Sequence, residues 1–416
     1  MCWPYPRKFK AALQPTTSAL STSFGNPLSK NSCRLVFFYD RPPLTSGLCK
    51  SFCCQSQIYA LNSSYPLELI AYRQIGDLIH ELLQADARKP SHIMIEVCEY
   101  TNEAHLAQSH PLPPCNVLIN LNHDWPTIHE DPVWAAQWLR LLSQAPACVP
   151  SKEQILWLFE KTRYVEEVIT VDSTMMLPTI IVRNIEDVAV AVEQFTSETG
   201  SRRRTFVCKE NFSAGKEGVS FVQWKTKNDA KRKMEKLMKT VGVCSAGSST
   251  KKRSRSITLQ QKQAVQDEQD SMAYVDQSFV GGNKGVFMVQ QFEPRFSIEH
   301  EKRLFYSKGT FLYAMSYKGW IGQNAQPKQV TDKDLAVEKE KVRRLLELLP
   351  RLSLYPLVRF DFGPGALLSE VEVLPDLFGG PDGNMTGEKW ENVRRRIAEA
   401  YVEDIVEQLG WNQNRK

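Results

Sequence analysis

The stretch from Leu357 to Val373, "LVRFDFGPGALLSEVEV", constrains the fold most, because it places one arginine and three carboxylates within two strand-like apolar runs. Successive side chains of a strand point to opposite faces. Arg359 and Asp361 therefore share a face of the first run, as Glu370 and Glu372 do in the second. The Gly-Pro-Gly between the runs is typical of a turn. The pattern predicts a hairpin with one apolar face and one acid-bearing face.

Two interpretations of that acid-bearing face are open. Three carboxylates that converge on an apolar hairpin repel one another and lose hydration unless a cation lies among them. Oxygen ligands of this kind suit magnesium, which completes its octahedron with water and phosphate oxygens. The alternative is an edge hairpin whose acidic face is solvated, since antiparallel sheets often expose one face.

Length and charge exclude some classes of protein. A chain of 416 residues with 42% hydrophobic residues can bury a large core in two or three structural units. No run approaches the roughly 18 apolar residues of a membrane helix. The net charge is +5, but the residues through Cys54 carry seven bases and one acid, which is +6 and leaves 5 − 6 = −1 for the remainder. A near-neutral body argues against a broad nucleic-acid surface.

Composition also suggests boundaries along the chain. The first 39 residues contain no Asp or Glu, so residues 1–54 are predicted to be a leader, either an organelle transit peptide or a disordered extension. Residues 55–150 read as a small α/β unit, and residues 151–416 as a second unit with a mobile, polar insertion at about 243–270. The ten cysteines are dispersed without a CxxC, which indicates reduced thiols in an intracellular compartment, cytoplasmic or organellar.

Two helices are marked by capping signals. Residues 151–168 are predicted to form one helix with Ser151 as its cap. A Thr331-x-x-Asp334 capping box is expected to begin a second helix that continues through Leu349 and stops at Pro350.

A phosphate site is suggested without the usual loops, since neither GxxxxGK[ST] nor GxGxxG occurs. In "TFVCKENFSAGKEGVSFVQW", a strand-like run ends in Lys209, and a loop with Gly215, Lys216 and Gly218 leads into a second strand-like run. Such a hairpin can close over phosphates with its backbone N–H groups and lysines. It can equally be an exposed loop with solvated lysines.

The order of these parts resembles the ATP-grasp superfamily, in particular glutathione synthetase-like ATP-dependent carboxylate–amine ligases. A lysine strand, a Gly loop, "FMVQQFEPRF", "EHEKRLFYSKGTFLYAMSYK" and the carboxylate hairpin follow one another from near Glu160 to about Gly380. The resemblance implies an α/β (α+β) protein, with an ATP-grasp fold behind an amino-terminal small α/β pre-grasp domain.

The resemblance also implies a role for individual residues. Lys161, just before the "LPTIIV" strand, is similar to the first nucleotide lysine, and Lys209 to the second, which contacts the α- and β-phosphates. Val289 to Phe292 resemble the family's hinge segment, which binds adenine through backbone hydrogen bonds. The implied hinge residues therefore include Gln290, Gln291 and Phe292. Glu293 is a candidate ribose ligand, with Glu299 and Glu301 as alternatives.

The remaining implied roles concern catalysis. Arg303, in Glu301-x-Arg303, resembles the arginine that faces the transferring phosphate, and Gly215 to Gly218 resemble the lid. Asp361, Glu370 and Glu372 resemble the magnesium ligands. The chain departs from the family pattern in three places: Glu210 stands in place of a usual Pro, Glu372 in place of a usual Asn, and Gln290 and Gln291 where an acid is frequent.

The implied activity is that of an enzyme that uses ATP and Mg2+ to convert a carboxylate into an acylphosphate, which an amine then attacks. Its partners would be small-molecule carboxylate and amine substrates, with no membrane partner and nucleic acid disfavoured; the oligomeric state is not predicted. A second hypothesis is a catalytically silent ATP-grasp-like nucleotide-binding or scaffold protein. A third, an RNA-associated protein acting through "KKRSR", is disfavoured by the neutral body.

Overall fold

The computed structural model describes residues 32–39, 67–101, 115–121, 142–197, 205–211, 219–240, 286–297, 299–318, 328–373 and 387–411. It is a mixed α/β structure with three sheets. The predicted Gly215–Gly218 lid, the insertion at about 243–270 and the "KKRSR" motif lie outside the described residues.

The first sheet is parallel and has the strand order β2-β1-β3-β4. Its strands are β1 (Ser32–Tyr39), β2 (Met94–Thr101), β3 (Val117–Asn120) and β4 (Cys148–Val149), and helix α1 (Leu67–Ala85) lies between β1 and β2 in the chain. Parallel sheets are covered on both faces, so their strands are continuously apolar. The wholly buried β3 fits that rule.

Strand β1 corrects the prediction that residues 1–54 form a leader. Residues 32–39 lie inside the sheet, paired with β2 on one side and β3 on the other. Leu35, Val36, Phe37 and Phe38 are each 0% exposed. The prediction relied on an acid-poor composition averaged over the segment, and that average concealed the short apolar run "RLVFFY".

The predicted helix at 151–168 is two helices, α2 (Lys152–Phe159) and α3 (Lys161–Val171). Ser151 forms the expected cap, because its hydroxyl accepts from Gln154 N and the Gln154 side chain accepts from Ser151 N. The helix breaks at Glu160, whose ψ of 83° is not helical. The break allows the amide of Lys161 to donate to Asn211 O at 3.2 Å instead of continuing the helix.

The second sheet has the order β11-β10-β9-β12-β13, and each adjacent pair is antiparallel. Its strands are β9 (His300–Ser307), β10 (Thr310–Lys318), β11 (Lys328–Gln329), β12 (Val358–Gly363) and β13 (Leu367–Val373). One face carries Leu304, Phe360 and Val371 into the largest hydrophobic core. The same core includes residues of the first sheet and of α3, so these layers pack together.

The third sheet is antiparallel with the order β5-β8-β6-β7. Its strands are β5 (Thr179–Val182), β6 (Thr205–Glu210), β7 (Val219–Gln223) and β8 (Phe287–Gln291). Helices α4 (Ile185–Ser197) and α5 (Lys227–Thr240) cover one face, with a separate core around Phe195, Phe206 and Val289. Alternation leaves Ile181, Met288 and Lys209, which lie in one cross-strand row, on the opposite face.

Two further α-helices in the described ranges are α6 (Ala336–Leu348) and α7 (Glu388–Gln408). The predicted capping box before α6 is wrong. Residues Asp332–Leu335 form a 3-10 turn, and the Thr331 hydroxyl donates to the Asp334 carboxylate at 2.5 Å instead of capping a backbone amide. In the described ranges, five cysteines are free thiols: Cys33, Cys98, Cys115, Cys148 and Cys208. None of the described helices is long and apolar enough to cross a membrane.

Candidate active site

The predicted carboxylate hairpin is formed by β12 and β13. Asp361 pairs across the strands with Glu370, and Arg359 pairs with Glu372. Directly opposed residues of an antiparallel pair project from the same face, so these four side chains lie together. The prediction of one acid-bearing face is confirmed.

The hairpin turn depends on two glycines for different reasons. Gly365 has φ of +69°, in the left-handed region that glycine adopts without strain. Gly363 is needed for space, since a Cβ at this position would lie 2.1 Å from the ring of Phe296. Phe296 belongs to the 3-10 turn Pro294–Ser297 that follows β8. The hairpin therefore packs closely against the segment that leaves the third sheet.

Arg359 is enclosed by two of the predicted metal ligands. Its Nε and Nη2 atoms donate to the two oxygens of Asp361 at 2.7 and 2.8 Å, and Nη2 also lies 2.7 Å from Glu372 Oε2. The Arg359 and Asp361 side chains are each 3% exposed. A bidentate guanidinium–carboxylate pair fixes both distance and plane. The buried charge of Arg359 is therefore neutralised by Asp361 and Glu372.

Arg303 lies beside this pair on the neighbouring strand. It pairs across β9 and β12 with Asp361, with 3.8 Å between Arg303 Nε and Asp361 Oδ2. The same Nε donates to Glu301 Oε1 at 2.8 Å. Burial and the charge of Asp361 raise the pKa of Glu301, although its bond to Arg303 acts in the opposite direction. The cluster is therefore continuous across β9, β12 and β13.

Lys161 reaches the same face from the start of α3. Its ammonium donates to Glu370 Oε1, and the side chains of Lys161 and Glu370 are 11% and 21% exposed. Burial alone would raise the pKa of Glu370, but the charges of Lys161, Lys209 and Arg359 outweigh it and leave that pKa lowered. Glu370 is therefore held as the carboxylate.

Lys209 comes from the third sheet and completes the group of cations. Burial lowers the pKa of Lys209, while the charges of Glu370, Glu301 and Asp361 act to raise it and that of Lys161 to lower it further. Lys209 is therefore within electrostatic range of the carboxylates of the second sheet. The face of the third sheet away from its helices lies toward the second sheet, since Met288 on that face belongs to the core that the second sheet also enters.

The predicted hinge lies on the same third sheet. Gln290 is 4% exposed, and its Nε2 donates to Thr179 Oγ1 at 2.8 Å. The amide of Gln291 donates to Pro178 O at 3.3 Å, so that backbone donor is committed to the fold. Phe292 follows β8 and makes an edge-to-face contact with Phe221, with 5.9 Å between ring centroids.

The three candidate ribose ligands have different surroundings. Glu293 accepts from the backbone and the guanidinium of Arg295, which makes a local turn. Glu299 is exposed. Glu301 is engaged with Arg303 in the charged cluster. Glu301 is therefore part of the charged cluster, and Glu293, Glu299 and Glu301 all remain predictions for the ribose ligand.

A bound magnesium ion does not fit the carboxylates as they are arranged. Carboxylate oxygens are the ligands that magnesium takes. Among the described residues, however, no three His, Cys, Asp or Glu side chains are placed to hold a metal ion together. Asp361 and Glu372 are occupied by Arg359, and Glu370 by Lys161. The predicted ligands are assembled, but their partners are protein cations.

Two positioning residues were missed from the sequence. Asn211 is 2% exposed, and its Oδ1 accepts from Thr162 N at 2.9 Å, which fixes the start of α3 next to the end of β6. The Tyr164 hydroxyl accepts from Val371 N at 3.4 Å, between Glu370 and Glu372. Each contact joins residues that are far apart in the sequence, so no local sequence pattern predicts it. The polar Asn211 directly after a strand was the one available signal.

No family model and no curated protein matches the sequence. Several solved structures are similar at low identity. D-cycloserine synthetase DcsG has 16% identity and a TM-score of 0.49, over 89% of this chain and 99% of that one. D-alanine–D-alanine ligase from Bacillus anthracis complexed with ATP has 11% identity and a TM-score of 0.44, over 90% and 99%.

A RimK domain protein, named as an ATP-grasp protein, from Sphaerobacter thermophilus has 11% identity and a TM-score of 0.43, over 89% of this chain and 98% of that one. ATP-grasp is also the family that the sequence pattern resembles. All three TM-scores lie below 0.5. The case for a function therefore rests on the charged side chains of this chain itself.

Proposed function

We propose that this protein is an ATP-dependent ligase of the ATP-grasp type, which activates a carboxylate as an acylphosphate and joins it to an amine. The observation that carries the proposal is the meeting of cations from three elements on one carboxylate face. Lys161 from α3, Lys209 from the third sheet and Arg303 from the second all interact with Glu370 or Asp361. Phosphoryl transfer depends mainly on positioning and on neutralising phosphate charge, which this arrangement supplies.

In the proposed reaction a substrate carboxylate oxygen attacks the γ-phosphorus of ATP, and the bond from that phosphorus to the β,γ-bridging oxygen breaks to release ADP. The amine nitrogen then attacks the acylphosphate carbon, the carbon–oxygen bond breaks, phosphate leaves and the nitrogen loses a proton. Lys161 and Lys209 hold the nucleotide phosphates. Arg303 faces the transferred group, and Asp361 and Glu372 keep the Arg359 guanidinium in one plane beside it.

The low solvent exposure of the site suits this chemistry. A water molecule that reached the acylphosphate would hydrolyse it, so exclusion of water protects the intermediate. Arg359 and Asp361 are nearly inaccessible, and Lys161 is 9% exposed. The Gly215–Gly218 segment is the proposed lid. Magnesium is the proposed partner of the phosphates. Of its three predicted ligands, Asp361, Glu370 and Glu372, the first and last are paired with Arg359, and Glu370 is paired with Lys161, so a carboxylate would have to exchange its protein cation before it could hold the ion.

The first test is the thermal unfolding midpoint of the full chain with ATP, with magnesium and with both. A ligand that binds the native state raises this midpoint by mass action. We expect the largest rise with both ligands, and its loss in Glu370→Gln. Glu340→Gln, which removes an exposed acid paired with Arg343 on α6, is the matched control and should respond like the wild type.

The second test separates a ligase from a silent binder. A panel of carboxylates and amines is screened for ADP release by the full chain, and Arg303→Ala is measured beside it. One outcome is that Arg303→Ala loses ADP release while ATP and magnesium still raise its thermal unfolding midpoint as they do in the wild type. That result would support a role of Arg303 in the chemical step. A midpoint shift without ADP release from any pair would favour the silent nucleotide-binding protein. No shift under any condition would refute the nucleotide site.

A further inference from the structure

We infer that Lys161 occupies, in the nucleotide-free protein, the position beside Glu370 that a divalent cation needs. The site then binds such a cation only after the ammonium of Lys161 has left Glu370 and paired with a phosphate group. This inference deepens the proposed function, since it concerns the same site and rests on Lys161 as a phosphate contact. It accounts for the disagreement between a family that implies magnesium and a carboxylate set that has no room for it.

The contact between Lys161 and Glu370 is held by the fold. Lys161 is the first residue of α3, its amide donates to Asn211 O, and the next amide donates to Asn211 Oδ1. Glu370 is held on β13 opposite Asp361. Both backbones are therefore fixed, and only the end of the lysine side chain is able to move. A cation that approached Glu370 would meet an ammonium group already in place.

Charge balance supports the same conclusion. The cluster contains four cations, Lys161, Lys209, Arg303 and Arg359, and four carboxylates, Glu301, Asp361, Glu370 and Glu372. Their formal sum is zero. A divalent cation alone would add two positive charges to a neutral, largely buried group, where Coulomb repulsion is weakly screened. A polyphosphate supplies the negative charge that lets both the lysines and a metal ion remain.

Glu370 differs from the other two predicted ligands in the partner that it would have to lose. Asp361 and Glu372 share Arg359, which is held from both sides and is 2% exposed. Among the described residues, Lys161 is ion-paired with one carboxylate, and it has a flexible four-carbon stem. Exchange of Lys161 from Glu370 to a phosphate is thus the smallest change that frees a carboxylate for a metal ion.

The test measures binding of Mn2+, a paramagnetic substitute for Mg2+, to the full chain with and without ADP. For the wild type we expect Mn2+ to bind about tenfold or more tightly with ADP present, and Mn2+ to strengthen ADP binding by the same factor, because such coupling is reciprocal. Equal Mn2+ affinity with and without ADP would overturn the inference. This comparison needs no variant and no turnover.

Variants then assign the coupling to the lysine. Lys161→Met should bind Mn2+ without ADP about tenfold or more tightly than the wild type, and Lys161→Met with Glu370→Gln should lose that gain. The matched control is Lys302→Met, which removes the ammonium from another buried glutamate, Glu338, and should gain nothing. If Lys161→Met folds and shows no gain, the inference is wrong.

These outcomes are distinct from failure of the proposed function. A protein that shows no midpoint shift with ATP would refute the nucleotide site, even if Lys161→Met gained Mn2+ binding. The converse outcome is that the wild type turns over ATP and yet binds Mn2+ equally well with and without nucleotide. That result would support the proposed function and refute the inference about Lys161.

Discussion

Asp361 accepts two hydrogen bonds from Arg359, the residue two positions before it on the same strand, and neither side chain is more than 3% exposed. The pair is therefore part of the core as well as part of the candidate site. Breaking a buried ion pair by removing one partner leaves the other charge buried and uncompensated. Stability and chemistry are coupled at this position.

Asp361→Ala should lower the free energy of unfolding by about 3–5 kcal/mol, because the buried Arg359 would lose the carboxylate that accepts two of its hydrogen bonds. The measurement is urea denaturation of the full chain. Arg359→Met combined with Asp361→Leu should be less destabilising than Asp361→Ala, since the carboxylate that then loses Arg359 is Glu372, whose side chain is 28% exposed. Glu340→Ala, in an exposed pair with Arg343, should have little effect. A small effect of Asp361→Ala would contradict the buried pair.

Asn211→Ala should loosen the start of α3, which carries Lys161. The amide of Thr162 would lose its acceptor in a buried place, at a cost of about 1–3 kcal/mol. Because Lys161 is the neighbouring residue, we expect weaker nucleotide binding in addition to reduced stability, measured by calorimetry and urea denaturation.

Asn184→Ala is the control for that change. Its Oδ1 accepts from Asp187 N at 2.9 Å at the start of α4, in an exposed position. It should lower stability without affecting nucleotide binding. If both variants weaken nucleotide binding equally, Asn211 has no particular role in positioning Lys161.

The two turn glycines should respond differently to alanine. Gly365→Ala should lower stability by about 1–2 kcal/mol through its left-handed backbone, since nothing lies within 4 Å of the added Cβ. Gly363→Ala must displace the Phe296 ring. Urea denaturation of Gly363→Ala, Phe296→Ala and the double variant should show non-additive changes. Additive changes would mean that the two residues do not constrain each other.

The contribution of Glu370 to stability should depend on pH in a defined direction. Its pKa is lowered from the ordinary 4.5 because nearby cations outweigh burial. A depressed carboxyl pKa stabilises the folded state above the unfolded-state pKa, and this stabilisation is lost as the pH falls through the folded pKa. The difference in unfolding free energy between wild type and Glu370→Gln should therefore shrink as the pH falls below about 4.5. A difference that is constant with pH would contradict the assignment.

The sequence predicts the hairpin of β12 and β13 well because the signals that specify it lie within a short segment of the chain. Side-chain alternation and a Gly-Pro-Gly turn suffice to place Arg359, Asp361, Glu370 and Glu372 on one face. The same reasoning could not show that Arg359 and Lys161 would neutralise these carboxylates. Lys161 lies 209 residues from Glu370, and no pattern within either segment encodes their contact.

The errors at Glu160 and β1 have different causes. An amphipathic pattern continues through Glu160, but the tertiary bond from Lys161 N to Asn211 O ends one helix and begins another. At β1 a composition average outweighed a short apolar run. At Glu160 long-range packing decided the structure, whereas at β1 the local apolar run itself indicated a strand.

Strand β1 also sets the order in which the first sheet can assemble. Its partners begin at Met94 and Val117, which pair with Ser32 and Leu35 and so emerge 62 and 82 residues later during synthesis. Pairing at such sequence separation is slow, because the intervening chain must close before the contacts form. Until then, "RLVFFY" is an unpaired apolar segment that is prone to association with other chains. A strand at the centre of the sheet is thus a segment of the nascent protein that a chaperone would protect until its partners are made.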